Sequence, residues 1–291
     1  MRPIVVGLDP ADPCSEAVNW ALTEARLRGL PVDLRLARGV PVSAAYDVPL
    51  DALMPEPFAQ EVLQAAAAHA ARREPTVQVR THLNNGSAGA VLVAASMEAE
   101  CVVVGRQSHS RIAETVVGST SAQVAAHALC PVAVVDNQAR PRRNGPVVVG
   151  VDGSSANQKA ISYAFGQAQR RGVPLVGMYA WRLDLPEKVT LPWVGKESLR
   201  KLVQAQRRIL YESLAGRSQE YPDVEVRHVV SRQLPVNRLE VAARSASMLV
   251  VGSRGLGGFH GLLLGSVSRG LLYRPRLCPV VVVPTRDQPS P

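Results

Sequence analysis

The densest chemistry in the chain lies between residues 252 and 268. Gly252 is followed by Gly255, Gly257, Gly258, Gly261 and Gly265, and Gly265 leads into Ser266-Val267-Ser268. Glycine lets a backbone approach a ligand closely, and successive N–H groups in such turns form an anion-binding concavity. A helix opening at Ser266 would add unpaired N–H groups. The hydroxyls of Ser266 and Ser268 could donate to a phosphate or cap that helix. Ser253, Arg254 and Val267 complete the candidate cradle. No Gly-Lys-Ser/Thr follows the glycines, so this is not a Walker A loop. Nor does it follow the first strand, where the dinucleotide fingerprint would sit.

A second group stands at Gly150-Val151-Asp152, closing a Val-rich run. An aspartate accepts hydrogen bonds and repels phosphate, so Asp152 suits a ribose hydroxyl or an adenine amino group. Capping of the next helix is its simpler role, and Ser154 and Ser155 are alternative caps.

Both groups have counterparts 143 to 148 residues earlier. Gly7-Leu8-Asp9 matches Gly150-Val151-Asp152, Val104-Gly105 matches Val251-Gly252, and Cys130-Pro131-Val132 matches Cys278-Pro279-Val280. Offsets this steady over half the chain mean two full copies of one domain. We expect a first domain over 1–137, a linker over 138–145 and a second domain over 146–285. The copies diverge at the loop. The first reads Gly105-Arg106-Gln107-Ser108, then nine residues, then Gly118-Ser119-Thr120. Ser108 replaces a glycine, and Arg106, His109 and Arg111 add positive charge that could meet phosphate directly.

Each copy alternates strand-like and helix-like segments. In the first, strands are expected over Ile4–Leu8, Val32–Ala37, Val77–Leu83, Cys101–Val104 and Val132–Val135. Helices fall over Ser15–Arg28, Phe58–Arg73, Ala88–Met97 and Ser119–Ala128. The second copy repeats the order, from Val147–Val151 to Val280–Val283. Val-rich strands alternating with helices imply a parallel sheet covered on both faces. The fold class is α/β, two tandem Rossmann-like domains of five parallel strands. Ligands in such sheets bind beyond the carboxyl ends of the strands, where strand order reverses.

The bulk numbers narrow the rest. The 291 residues carry a formal charge of +9, but aromatic residues are only 4%. Lys and Arg are scattered, which makes nucleic acid an unfavoured partner. No apolar run approaches the ~20 residues of a membrane span. No signal-peptide pattern opens the chain, so the expected location is cytoplasmic. The four cysteines have no disulfide or zinc spacing, and Cys130 and Cys278 fit small buried positions. The six histidines form no metal-binding pair, and no nucleophile elbow is present.

The spacing Gly252-x2-Gly255-x9-Gly265-Ser266 resembles the nucleotide-binding motif of the universal stress protein family. The Val-Gly-Val-Asp-Gly-Ser opening at 149–154 and the Cys-Pro-Val ending resemble it too, and the likeness covers the whole chain twice. It implies strand order 3-2-1-4-5 and an ATP site. The site would comprise Gly150, Asp152, Gly252, Ser253, Arg254, Gly255, Gly258, Gly265, Ser266, Val267 and Ser268, with residues after strand two near the base. In the first copy it would comprise Gly7, Asp9, Gly105, Arg106, Gly118, Ser119 and Thr120. It also implies pairing through the last strand, which would join the two halves of one chain as an internal pseudo-dimer, and a further association of two tandem chains as a homodimer.

Three functions are compatible with these residues. A nucleotide-dependent regulator of a stress response would bind ATP without turning it over. A slow hydrolase would need Mg²⁺, for which Asp152 is a candidate ligand with no second acid placed beside it. A chaperone-like interaction protein would need no glycine loop. The sequence names no protein partner and no dedicated catalytic residue.

Overall fold

The computed structural model describes residues 1–39, 54–106, 118–139, 142, 144–181, 196–255 and 263–285, apart from the side chains of 196–199. The expected loop over 40–57 lies mainly outside these residues. So do Ser108, His109, Arg111, Gly257, Gly258, His260 and Gly261.

The first half contains β1 (Ile4–Gly7), α1 (Glu16–Arg28), β2 (Val32–Arg38), α2 (Glu56–Arg73), β3 (Val79–Asn85), α3 (Ala88–Ala95), β4 (Cys101–Gly105), α4 (Ser119–His127) and β5 (Val132–Val135). The second contains β6 (Val147–Val151), α5 (Gln158–Arg171), β7 (Leu175–Ala180), α6 (Lys196–Glu220), β8 (Val226–Ser231), α7 (Pro235–Ala243), β9 (Met248–Gly252), α8 (Ser266–Leu272) and β10 (Val280–Val283). The α/β class and the alternation are as expected. Differences fall at ends. The third strand begins at Val79 rather than Val77 and runs to Asn85. The second helix begins at Glu56, because Pro57 fits the first helical turn, where its missing N–H costs nothing.

All ten strands form one sheet, in the order β3-β2-β1-β4-β5-β10-β9-β6-β7-β8. Each half has the order 3-2-1-4-5. Pairing is parallel throughout except between β5 and β10, which run antiparallel. There Ala133 stands opposite Val281, its own counterpart in the other copy. A residue that faces its counterpart lies on a two-fold axis. The halves are thus joined as an internal pseudo-dimer, and β3 and β8 form the outer edges.

The pleat turns alternate residues to opposite faces. Ile4, Val6, Val103, Val149 and Val250 pack with α1, α2, α5 and α6 on one face. Val5, Val102, Val104, Val148 and Val251 pack with α3, α4, α7 and α8 on the other. Both cores run across the seam. This explains why the strands read as unbroken Val runs instead of alternating with polar residues. α1 and α5 both stop at a left-handed glycine, Gly29 (φ 63) and Gly172 (φ 61). Among the described residues no helix is long and apolar enough to cross a membrane.

Candidate functional site

In the second half, β6 and β9 are hydrogen-bonded neighbours, and their carboxyl ends carry Gly150, Asp152 and Gly252. Asp152 folds back on its own turn. Its Oδ1 accepts from the Ser154 N–H at 2.8 Å and the Ser154 hydroxyl at 2.7 Å. Ser154 in turn caps the 3-10 turn Ser155–Asn157, its hydroxyl accepting from the Asn157 N–H at 3.2 Å. The capping role thus falls to Ser154, and Asp152 orients it. The other carboxylate oxygen faces the glycine loop. A Cβ on Gly255 would lie 2.5 Å from Asp152 Oδ2. Glycine is required here for close approach, so the loop and the acid form one wall.

Three of the expected phosphate donors are already engaged. The Gly265 N–H donates to Ser253 O at 2.7 Å, which closes the loop on itself. The Ser268 hydroxyl is buried and donates to Gly252 O at 2.6 Å. Ser253 is buried too, with its N–H on Val283 O and its hydroxyl accepting from the Thr285 N–H. These residues position the loop on β9 and β10. This corrects the expectation that the Ser268 hydroxyl is open to a phosphate or caps the helix. Gly265 occupies the cap position of α8, with no side-chain bond, and Ser266 is exposed. Arg254 and Ser253 face the end of α4, beside Ala125–Leu129 of the other half. Val267 packs at the edge of the apolar core.

Two further residues belong to this site. Asn157 is buried, and its Nδ2 donates to Gly150 O at 3.1 Å while its Oδ1 has no partner. It ties the turn after β6 to the strand that precedes it. Tyr179 is the last residue but one of β7, and burial together with the nearby Asp152 charge raises its phenol above the usual range. The phenol therefore stays protonated and can donate. Its only signal in the sequence was its place in the stretch Tyr179-Ala180-Trp181 at the end of strand two, which carries no distinctive motif.

The first half opens at the corresponding place on a cavity of ≈ 750 Å³. Of the residues expected here, Gly7, Asp9, Gly105, Arg106 and Thr120 line it. Asp9 Oδ1 accepts from the Ala11 N–H at 3.0 Å, the same fold-back that Asp152 makes. Ser121 repeats the Ser268 contact, donating to Gly105 O at 2.8 Å. Gly118 caps α4 and Ser119 is exposed. Phe58, Val91 and Leu92 give the cavity an apolar wall.

Arg106 borders the cavity, but its charge is already engaged. Its guanidinium donates to Asp136 at 2.9 Å, to Leu272 O at 3.2 Å and to Tyr273 O at 3.2 Å. Its side chain is only 8% exposed. The charge that seemed available to a phosphate instead braces the first half against the end of α8. Asp136 also accepts from the Arg276 N–H at 2.8 Å, and Arg276 and Pro275 line the first-half cavity. One wall of that cavity is therefore built by the second half. No local motif announces a wall lent by a segment 140 residues away.

Sheet order, switch-point cavity and acid–glycine wall define a class, the tandem doubly wound α/β proteins. A sequence model described as the universal stress protein family matches residues 1–136 and again 144–284. The chain belongs to that family. It is 35% identical over 291 residues to a universal stress protein of Mycolicibacterium smegmatis, covering 97% of each chain. It is 34% identical over 289 residues to universal stress protein Rv2623 of Mycobacterium tuberculosis, covering 96% of this chain and 95% of the relative. A crystal structure of a universal stress protein from Archaeoglobus fulgidus superposes with a TM-score of 0.63 at 16% identity, covering 96% of both chains. That likeness shows the fold.

Proposed function

We propose that this protein is a nucleotide-dependent regulator that binds ATP in both halves and does not turn it over. One observation carries the proposal. At both switch points an aspartate meets a glycine of the fourth-strand turn, Gly255 beside Asp152 in the second half and Gly105 with Asp9 in the first. In the first half the two line a cavity of ≈ 750 Å³, within the ~300–1,000 Å³ usual for ligand pockets. Asp9 and Asp152 would accept from the ribose hydroxyls or the adenine amino group. The apolar wall of Phe58, Val91 and Leu92 suits a base. Tyr179 would donate to the ligand in the second half. The glycine loop after β9 would hold phosphates with Ser266, on a frame set by Ser253, Gly265 and Ser268. In the first half Gly118, Ser119 and Thr120 stand in the equivalent place.

The loop glycines lose conformational freedom when phosphate binds, so occupied and empty protein present different surfaces. That difference is the signal a partner would read. Mg²⁺ would accompany the phosphates as a counter-ion.

The test is mass spectrometry of denatured protein after equilibration with ATP and removal of unbound nucleotide. Close to two equivalents of adenine nucleotide are expected, falling to one in Asp9→Ala and in Asp152→Ala. No nucleotide at all would refute the proposal. Repeated Mg²⁺-dependent turnover abolished by Asp152→Ala would make the protein a hydrolase instead.

A further inference from the structure

Near the two-fold axis, α1 and α5 meet through residues that are counterparts of one another. The copies are offset by 143 here, as the paired left-handed caps Gly29 and Gly172 attest. Glu24 therefore corresponds to Gln167, and Arg28 to Arg171. Glu24 is 1% exposed and Gln167 0%. Across the seam, Gln167 Nε2 donates to Glu24 Oε1, and Arg171 Nη2 donates to Glu24 Oε2 at 2.5 Å. Arg28 lies beside Glu24 at 3.9 Å and bonds Glu100. The counterpart of Glu100 is Ser247, since the Glu100 N–H meets Pro3 O and the Ser247 N–H meets Pro146 O. A position where the copies touch themselves thus carries a carboxylate in one copy and an amide in the other.

We propose that this pair determines which half seats against which. The apolar strands do not discriminate, because β5 and β10 are both Val-rich and fully buried. The charges do. As built, Glu24 and Glu100 balance Arg28 and Arg171, and the seam is neutral. Two first halves joined by the same axis would set Glu24 against Glu24. They would bring four carboxylates to two guanidiniums. Two second halves would bring Arg171 twice with no carboxylate. Two second halves bury arginine charge with no carboxylate to meet it. Two first halves press two buried Glu24 carboxylates together, while the excess charge sits on the part-exposed Glu100. A like-charged or unpaired buried group costs far more than a paired charge returns. The surface around α1 in the first half therefore fits a partner presenting an amide and an arginine, which is the second half. The linker makes that choice intramolecular by raising the local concentration of the right partner.

The test uses the full chain and three nearly isosteric variants. Gln167→Glu sets two buried carboxylates together and makes pairing between two second halves neutral. We expect its Tm to fall by ~5 °C or more. Light scattering should show a larger mass than the unaltered protein at equal concentration. Glu24→Gln leaves Arg171 without its carboxylate and should lose part of that stability. The exchange variant Glu24→Gln with Gln167→Glu restores one carboxylate, now facing Arg28 across the seam. It should recover at least half of the Tm lost in Gln167→Glu, and should fold with a measurable Tm if that single variant does not. Additive losses in the exchange variant, or an unchanged Tm in Gln167→Glu, would overturn the proposal. An unchanged mass in Gln167→Glu would reduce the pair to a stabilising contact and overturn its role in choosing a partner.

Discussion

At Gly255 a hydrogen atom does what no side chain can, because the space beyond it belongs to Asp152. Valine at this position would place its Cβ on the carboxylate oxygen and push the acid or the loop aside. We expect Gly255→Val to lose ATP from the second half alone, with a retained equivalent in the first. Nucleotide stoichiometry by mass spectrometry checks this, and two equivalents in the variant would show that the wall tolerates displacement. The aspartates and glycines were legible because the repeat prints them twice at fixed spacing. The roles of the serines were not. Ser266 and Ser268 are two residues apart in sequence, yet one is exposed and the other is buried against Gly252 O. Only the direction in which α8 leaves the loop separates them. Arg106 was misread for a related reason. Its partners Leu272 and Tyr273 are 166 and 167 residues away, and local composition contains nothing about them.

Among elements, the strands were the most legible, since a Val run buried on both faces leaves little choice of structure. Helix ends were less so, except where glycine fixes them. Gly172 ends α5 at φ 61, and a Cβ there would meet nothing within 4 Å. Its requirement is thus purely conformational. Gly172→Ala should cost ~1–2 kcal/mol through left-handed strain alone, or a Tm lower by a few degrees at ~2–4 °C per kcal/mol for a domain of this size. Calorimetry would measure this, with ATP stoichiometry unchanged. A stabilised variant would mean that the backbone leaves the left-handed region at no cost. The seam between β5 and β10 was foreseen only through the family resemblance, because an edge strand and a covered strand can share one sequence.

For the whole molecule, stability should weaken in alkali from identifiable sources. Burial raises Cys130 and Cys278 from about 9 to about 12. Below pH ~9 both thiols are neutral in the folded and unfolded chain, and neither penalises folding. Between ~9 and ~12 the unfolded chain ionises them while the folded chain holds them neutral. Each then removes ~1.4 kcal/mol of stability per pH unit. Urea unfolding under reducing conditions from pH 9 to 10.5 should show this decline. Cys130→Ala with Cys278→Ala should make it shallower by about two protons. An equal slope would mean that other groups govern the alkaline limit.

The axis through Ala133 and Val281 also treats the two ends of the chain as it treats the linker. Eleven residues separate Val135 from Val147, and a loop of similar length from Val283 to Ile4 would complete the symmetry. The same symmetry operation carries Val135 onto Val283 and Ile4 onto Val147, the strand residues that flank the two spans. The sheet is therefore compatible with either order of the two halves along the chain. A circularly permuted chain, opened in the present linker and closed at the present termini, would encode the same ten-stranded sheet with its two sites exchanged in sequence and unmoved in space.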